Sequence, residues 1–303
     1  MRIFFVDSSQ PAIHRGWNPE FVAQDLAKQN IETFTRTNRS AKEIHQSSWS
    51  KDDVVWPCCY TCGPSTDDPL VIEACAEYGI RHVGPSRSTY RLNSKLQLAH
   101  ALSSNDFHVP RTVVLDNYRG GFSFPCLLKT EFSSNSDGVR IVHAESELKR
   151  IKGVLQGYGQ RLILQEWVRH EECTVAVLPA ANNEILIAPL GVEVRNGRYI
   201  DARAKRHNDQ LRFYALPPDS RREVQELVRR MIVTLNLKGH FRVDVLRDEH
   251  GILYPIDVNC QPDMNSNVEE ISYFPLALSV NYDLQFADVI HHILTYSTYS
   301  NSV

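Results

Sequence analysis

The sequence predicts an α/β unit followed by α+β layers, and three observations predict it. Strand-like and helix-like runs alternate through roughly the first 85 residues. From Phe124 onward, short strands follow one another with few helices between them. Across 240–262, two strand-type runs flank a polar turn. Alternation argues for parallel βαβ units, whereas clustered strands argue for antiparallel pairing.

The elements follow in order. The first unit reads as strands at 3–6, 31–34, 54–58 and 82–83, with helices at 19–28 and 69–78. Gly79 ends the second helix, because a helix end takes left-handed backbone that glycine adopts freely. A helix is expected over 93–104, with Asn93 or Ser94 as its N-cap. Strands are expected at 124–130, 139–144, 162–168, 174–178, 184–194 and 199–204, with helices at 146–155, 220–235 and 284–295. These divisions give three units: 1–85, 86–178 and 179–303.

A chain of 303 residues is long enough for two or three small domains with a sizeable core. Its 42% apolar and 23% charged content is that of an ordinary globular protein. A net charge of -3 gives no electrostatic reason to expect nucleic acid or an anionic membrane. No apolar run approaches the ~20 residues of a spanning helix. The start, Met1 to Asp7, reaches an acidic residue too soon for a signal peptide. Seven cysteines favour reduced thiols over a disulfide framework, and with them a cytoplasmic location. Cys58, Cys59 and Cys62 cluster, but the second pair that a structural zinc needs is missing. The cluster follows a strand, whereas redox pairs open a helix, so small half-buried side chains are expected.

The hairpin carries the clearest chemistry. Arg242 and Asp244 stand two apart, as do Asp257 and Asn259. Side chains at i and i+2 of a strand share a face. Pairing across an even-length loop would gather all four on one face. Two carboxylates and an amide oxygen then need a counter-charge, which a hard divalent cation such as Mg2+ supplies.

Other features are weaker singly. Lys129 closes an apolar strand, and the Ser133, Ser134, Asn135, Ser136 run before Gly138 suits a loop donating N–H and O–H groups to phosphate. Lys95 in a helix first turn is unfavourable unless an anion binds there. Gln165, Glu166, Trp167 and Val168 close another apolar strand, where backbone groups can read a purine edge. Glu172 follows and can take ribose hydroxyls, and Lys205 lies in a basic run. Each of these alone also fits an ordinary solvated surface.

Taken in order, these features resemble the ATP-grasp superfamily and, within it, the D-alanine–D-alanine ligases. The resemblance runs from about residue 54 to the end and is strongest over 120–265. It implies an ATP-grasp fold, with an N-terminal βαβ unit and two α+β lobes sandwiching ATP. It implies that Lys95, Lys129, Ser133 to Ser136, Gln165 to Val168, Glu172 and Lys205 hold ATP. Asp244, Asp257 and Asn259 would hold one or two Mg2+ ions, with Mn2+ as a substitute. The family usually has Glu at the position of Asp257. Arg242 would stabilise an acyl phosphate, and a homodimer through the N-terminal unit is the matching expectation.

The amino-acid half departs from the family. Val6 to Pro11 replaces a Gly-Gly-x-Ser motif, and the Glu that binds the first amino group is missing. A His-Gly is replaced around Tyr60 to Pro64, and a carboxylate-binding Ser falls near Val268. Asp263 stands where the family has Gly beside the reacting carbonyl, and there it could bind an ammonium or act as a base. The leading expectation is therefore a carboxylate–amine ligase for a small amino-acid-like substrate other than D-alanine, in specialised metabolism. A ring-closing variant like the D-cycloserine-forming enzymes and a non-catalytic nucleotide-binding module are the alternatives.

Overall fold

The computed structural model describes residues 1–8, 19–38, 44, 48–59, 71–132, 138–157, 160–168, 171–194, 211–265 and 272–299. In chain order its strands begin with β1 (Arg2–Ser8), β2 (Glu32–Asn38), β3 (Asp53–Pro57), β4 (His82–Val83), β5 (Thr112–Val114), β6 (Cys126–Thr130) and β7 (Val139–Val142). They continue with β8 (Leu162–Glu166), β9 (Glu171–Pro179), β10 (Ile185–Val194), β11 (Leu211–Tyr214), β12 (Phe241–Arg247), β13 (Leu253–Asn259) and β14 (Thr298–Tyr299). The helices are α1 (Glu20–Lys28), α2 (Val71–Glu77), α3 (Arg87–Arg91) and α4 (Lys95–Ser103). After them come α5 (Leu148–Gln156), α6 (Pro218–Thr234), α7 (Tyr273–Tyr282) and α8 (Phe286–Tyr296).

The first sheet has the order β14-β4-β3-β1-β2. β1 to β4 are parallel, and β14 joins antiparallel through Thr298↔Val83. Every residue of β3 is buried, as an interior parallel strand covered on both faces requires. Asp53 at its start takes a two-pronged ion pair from Arg2, at 2.8 and 2.7 Å. The second sheet, β5-β8-β6-β7, is antiparallel throughout. α5 lays Leu148, Ile151 and Leu155 on Cys126, Leu128 and Leu164 of one face. Lys129 and Gln165 belong to the other face by register, since Lys129 pairs with Ile163 and Gln165 with Leu127.

The third sheet, β11-β10-β9-β12-β13, is also antiparallel. Val175, Val177, Val243 and Val245 form one face and pack on α6 and α4. The other face sets Ala176, Leu178, Ala188 and Leu190 against Phe274, Ala277 and Leu278 of α7. Ile3, Phe5 and Trp56 of the first sheet share that cluster, so α7 and α8 pack between the two sheets. Among the described residues, no helix is long and apolar enough to cross a membrane.

The sequence missed β5, β11, β14, α3 and α7. β5 and β14 are too short to show a period. α7 carries Pro275 in its first turn, where the N–H that proline lacks has no intrahelical partner to lose. The strand expected at 199–204 lies outside the described residues. The even-length loop assumed for the hairpin is a further correction. The ladder ends at Arg247↔Leu253, leaving the odd-length turn 248–252. Asp248 shapes that turn by accepting from the N–H groups of His250 and Ile252, at 2.9 and 2.8 Å. A bulge then supplies the missing residue. Val245 pairs with Pro255 but Asp244 pairs with Asp257, which leaves Ile256 as the extra residue.

Candidate active site

The bulge completes the polar face anticipated for the hairpin. Asp244 lies directly opposite Asp257, and Arg242 directly opposite Asn259. β9 extends the face, because Thr174 pairs with Asp244 and Glu172 with Leu246. Glu172, Thr174, Arg242, Asp244, Asp257 and Asn259 therefore share one side of the third sheet, while valines fill the other.

Asp244 is the hub. Its Oδ1 accepts from Arg242 Nε at 3.1 Å and from the Thr174 hydroxyl at 2.8 Å; its Oδ2 accepts from Arg242 Nη2 at 3.1 Å. This fork-on-carboxylate geometry fixes the guanidinium plane. The Tyr273 ring flanks it, with Arg242 Cζ 5.5 Å from the ring centroid. Burial works against the Arg242 charge, but the charge and hydrogen bond of Asp244, then Asp257 and Tyr273, outweigh it and hold the guanidinium above its usual range. Burial pushes the Tyr273 phenol well up; Arg242 opposes this, and Glu172 and Asp244 add to it. Tyr273 is thus a neutral hydroxyl, able to donate and unsuited as a base.

Lys95 opens α4, with Ser94 as the cap accepting from Gln97 N. Its buried ammonium reaches Asp257 Oδ1 at 3.4 Å. The unfavourable first-turn lysine thus answers a carboxylate on the hairpin. The Lys95 N–H also donates to Glu131 O at 3.4 Å, which ties the start of α4 to the end of β6. Ser94 Oγ donates to the Glu131 carboxylate, which also receives Arg161 Nη1 at 3.0 Å.

On the second sheet Lys129 is buried within β6, one residue before its end. Gly138 returns the chain against that end, its carbonyl accepting from Thr130 N at 3.3 Å. Its φ of +75° and a Cβ that would lie 2.8 Å from Thr130 Oγ1 both demand glycine there. Gln165 turns its amide to the Thr112 hydroxyl at 2.8 Å, so its side chain braces β5. Glu166 braces the same edge by accepting from Arg111 N at 3.2 Å, and Trp167 and Val168 are half-buried.

Ser133, Ser134, Asn135, Ser136 and Lys205 lie outside the described residues, as do Ser9 to Pro11, Tyr60 to Pro64 and Val268. Asp263 follows the hairpin with an exposed side chain. Cys58 and Cys59 are buried thiols that donate to the carbonyls of Trp56 and Val6, in keeping with a packing role. Sequence reading missed Thr174 and Tyr273. A threonine in an apolar strand and an aromatic residue at a helix start give no local signal.

The donor chemistry fits a hard cation. Two carboxylates pair across the ladder, and the Asn259 carbonyl has a second lone pair beside the one that accepts Gln261 N at 2.9 Å. Among the described residues no group of three or more His, Cys, Asp or Glu side chains is placed to hold a metal, so the amide oxygen is needed to complete the set.

The chain is similar to known proteins in sequence and in fold. A family model described as "D-ala D-ala ligase C-terminus" matches residues 97–295. D-alanine–D-alanine ligase of Haemophilus influenzae is 28% identical over 176 residues, which are 57% of this chain and 56% of that protein. The ligase of Mannheimia succiniciproducens is 29% identical over 165 residues, 53% of this chain and 51% of that one. The chain thus spans about half the length of the curated relatives it matches. Among solved structures, D-alanine–D-alanine ligase from Bacillus anthracis complexed with ATP superposes with a TM-score of 0.74 at 16% identity, covering 98% of this chain and 96% of that one. The VanG D-Ala:D-Ser ligase from Enterococcus faecalis gives 0.70 at 16% identity, covering 97% and 98%. With the family model spanning most of its length and the fold shared end to end, the chain belongs to the D-alanine–D-alanine ligase family of the ATP-grasp superfamily.

Proposed function

We propose that this protein is an ATP-dependent carboxylate–amine ligase whose substrate is a small amino acid or derivative other than D-alanine. The observation that carries this reading is the single polar face joining Glu172, Thr174, Arg242, Asp244, Asp257 and Asn259. In this reading the units 1–85, 86–178 and 179–303 supply the substrate end, the nucleotide lobe and the metal-bearing lobe.

The reaction has two steps. A substrate carboxylate oxygen takes the γ-phosphoryl group of ATP, and ADP leaves. The amine then attacks the acyl carbon, the bond to phosphate breaks, and the amine gives up a proton. Asp244, Asp257 and Asn259 would hold Mg2+, which supplies positive charge to the phosphates. Lys95 and Lys129 add fixed positive charge, and Glu172 takes the ribose hydroxyls. The Asp244 clamp sets the direction of Arg242 before substrate arrives. A guanidinium held in this way stabilises negative charge on the acyl oxygen without reorganising. The Lys95 contact to Asp257 orients that carboxylate on the same face.

ADP release from a panel of carboxylates, each with and without added amines, tests the proposal. Release that needs both partners is the expected result. Turnover on a single compound points to ring closure, and no turnover with any pair overturns the ligase reading in favour of a nucleotide-binding module. D-alanine is expected to be poor, because an ammonium buried without its Glu loses kcal/mol of stabilisation. D-alanyl-D-alanine formation near ~10 per second, a median enzyme rate, would refute that part.

A further inference from the structure

Gln261 sits two residues beyond Asn259. Its backbone N–H donates to Asn259 Oδ1 at 2.9 Å. Its side-chain amide reaches the end of β3. Nε2 donates to Cys59 O at 2.7 Å and to Pro57 O at 3.2 Å. An amide nitrogen has two hydrogens, and both go to carbonyls of one strand end. Cys59 O also accepts from the Tyr90 hydroxyl at 3.2 Å. Next to Gln261, Cys260 N donates to Asn93 Oδ1 at 3.2 Å, and the Cys260 thiol to Thr89 O at 3.3 Å.

β3 is parallel to its neighbours, and Pro57 is at its C-terminal end. In open parallel sheets, ligands bind beyond the carboxyl ends of the strands. One residue thus ties the ligand end of the first sheet to a backbone segment that carries a proposed metal ligand. We infer that Gln261 is a positioning residue: it sets the substrate end of the first sheet in register with the Arg242–Asn259 face. Its effect is on the substrates joined and not on nucleotide. This rests on the ligase reading above.

Two variants test it. Gln261→Met keeps length and removes both donors, while Gln261→Lys keeps a donor. Both are compared with wild type for AMP-PNP affinity with Mg2+, for ADP release with the best substrate pair, and for amide exchange over 53–59. Gln261→Met is expected to bind AMP-PNP within about twofold of wild type while losing on the order of 10-fold or more in ligation, the scale that small misplacements cost. Exchange over 53–59 is expected to quicken, and Gln261→Lys to recover part of both effects. Ligation within twofold of wild type overturns the inference. So does a parallel loss of AMP-PNP binding, which would mark general disruption. A wild type that releases no ADP with any pair fails the ligase reading instead; the tie is then judged by exchange alone, and unchanged exchange in Gln261→Met overturns it.

Discussion

At Asp244, one carboxylate orients a guanidinium and receives a hydroxyl while facing a second carboxylate across the ladder. Asp244→Asn keeps the shape and removes the charge that holds Arg242. Asn259→Leu keeps the volume and removes the amide oxygen. Asn259→Leu is expected to melt close to wild type, whereas Asp244→Asn leaves the buried Arg242 charge without its counter-ion and is expected to melt lower. Activity is expected to fall on the order of 10²-fold or more for each, the usual loss of a preorganised group in a phosphoryl-transfer site. Near-normal turnover of both at saturating magnesium would remove the metal assignment. Asp263→Asn separates two roles at an exposed position. Lost ammonium binding raises KM, while a lost base lowers kcat and flattens its acid limb. Both constants within about twofold of wild type would take the Asp263 side chain out of the reaction.

The junction between the first and third sheets depends on Gly239. Its φ is +92°, and a Cβ there would lie 2.4 Å from Pro85 Cα and 2.6 Å from Gly84 O. Backbone on both sides is pinned, with Ser86 N donating to Lys238 O at 2.9 Å and Lys238 N to Thr89 Oγ1 at 2.8 Å. Gly239→Ala combines a strained φ with a backbone clash, and is expected to cost about 2 kcal/mol or more. Chemical denaturation checks this; a loss under about 0.5 kcal/mol would mean that the junction yields easily. What the sequence made legible at this scale was local. The i, i+2 spacing of Arg242 with Asp244 and of Asp257 with Asn259 is visible in the chain, and so is the odd first-turn Lys95. The rest is set by register between distant strands. Thr174 meets Asp244 across 70 positions, and Gln261 meets Cys59 across 202. Neither residue type announces such a partner, and the Ile256 bulge leaves no compositional mark.

Across the whole molecule, two buried histidines bear on stability: His240, where the first and third sheets meet, and His82 within the first sheet. His240 stands edge-on to Trp56 and Phe274, and its Nδ1 has no hydrogen-bond partner among the described residues. Burial pulls its imidazole down to about 3 from 6.5. Burial likewise pulls His82 of β4 to about 4, against a smaller opposing hydrogen bond that the ring makes to the Ile80 backbone. Both fold as neutral rings. Below about pH 6.5 the unfolded chain binds protons that the folded chain refuses, so stability is lost as pH falls. Each histidine contributes about 1.4 kcal/mol per pH unit until its folded value is reached. A drop in melting temperature from pH 7 toward pH 5 is expected, with a shallower slope in His240→Phe, whose ring suits the aromatic surroundings. An unchanged slope in that variant would place the acid sensitivity elsewhere.

The Ile256 bulge also bears on how this hairpin can drift in length. In a regular ladder, losing one residue between Asp244 and Asp257 would turn Asp257 and Asn259 onto the valine face. Here a strand residue can be lost without that inversion. Deleting Ile256 restores a regular ladder with Asp244 still opposite Asp257. The irregularity works as slack, so a strand deletion at this point leaves the facing pairs in place where the same deletion in a perfect ladder would invert them.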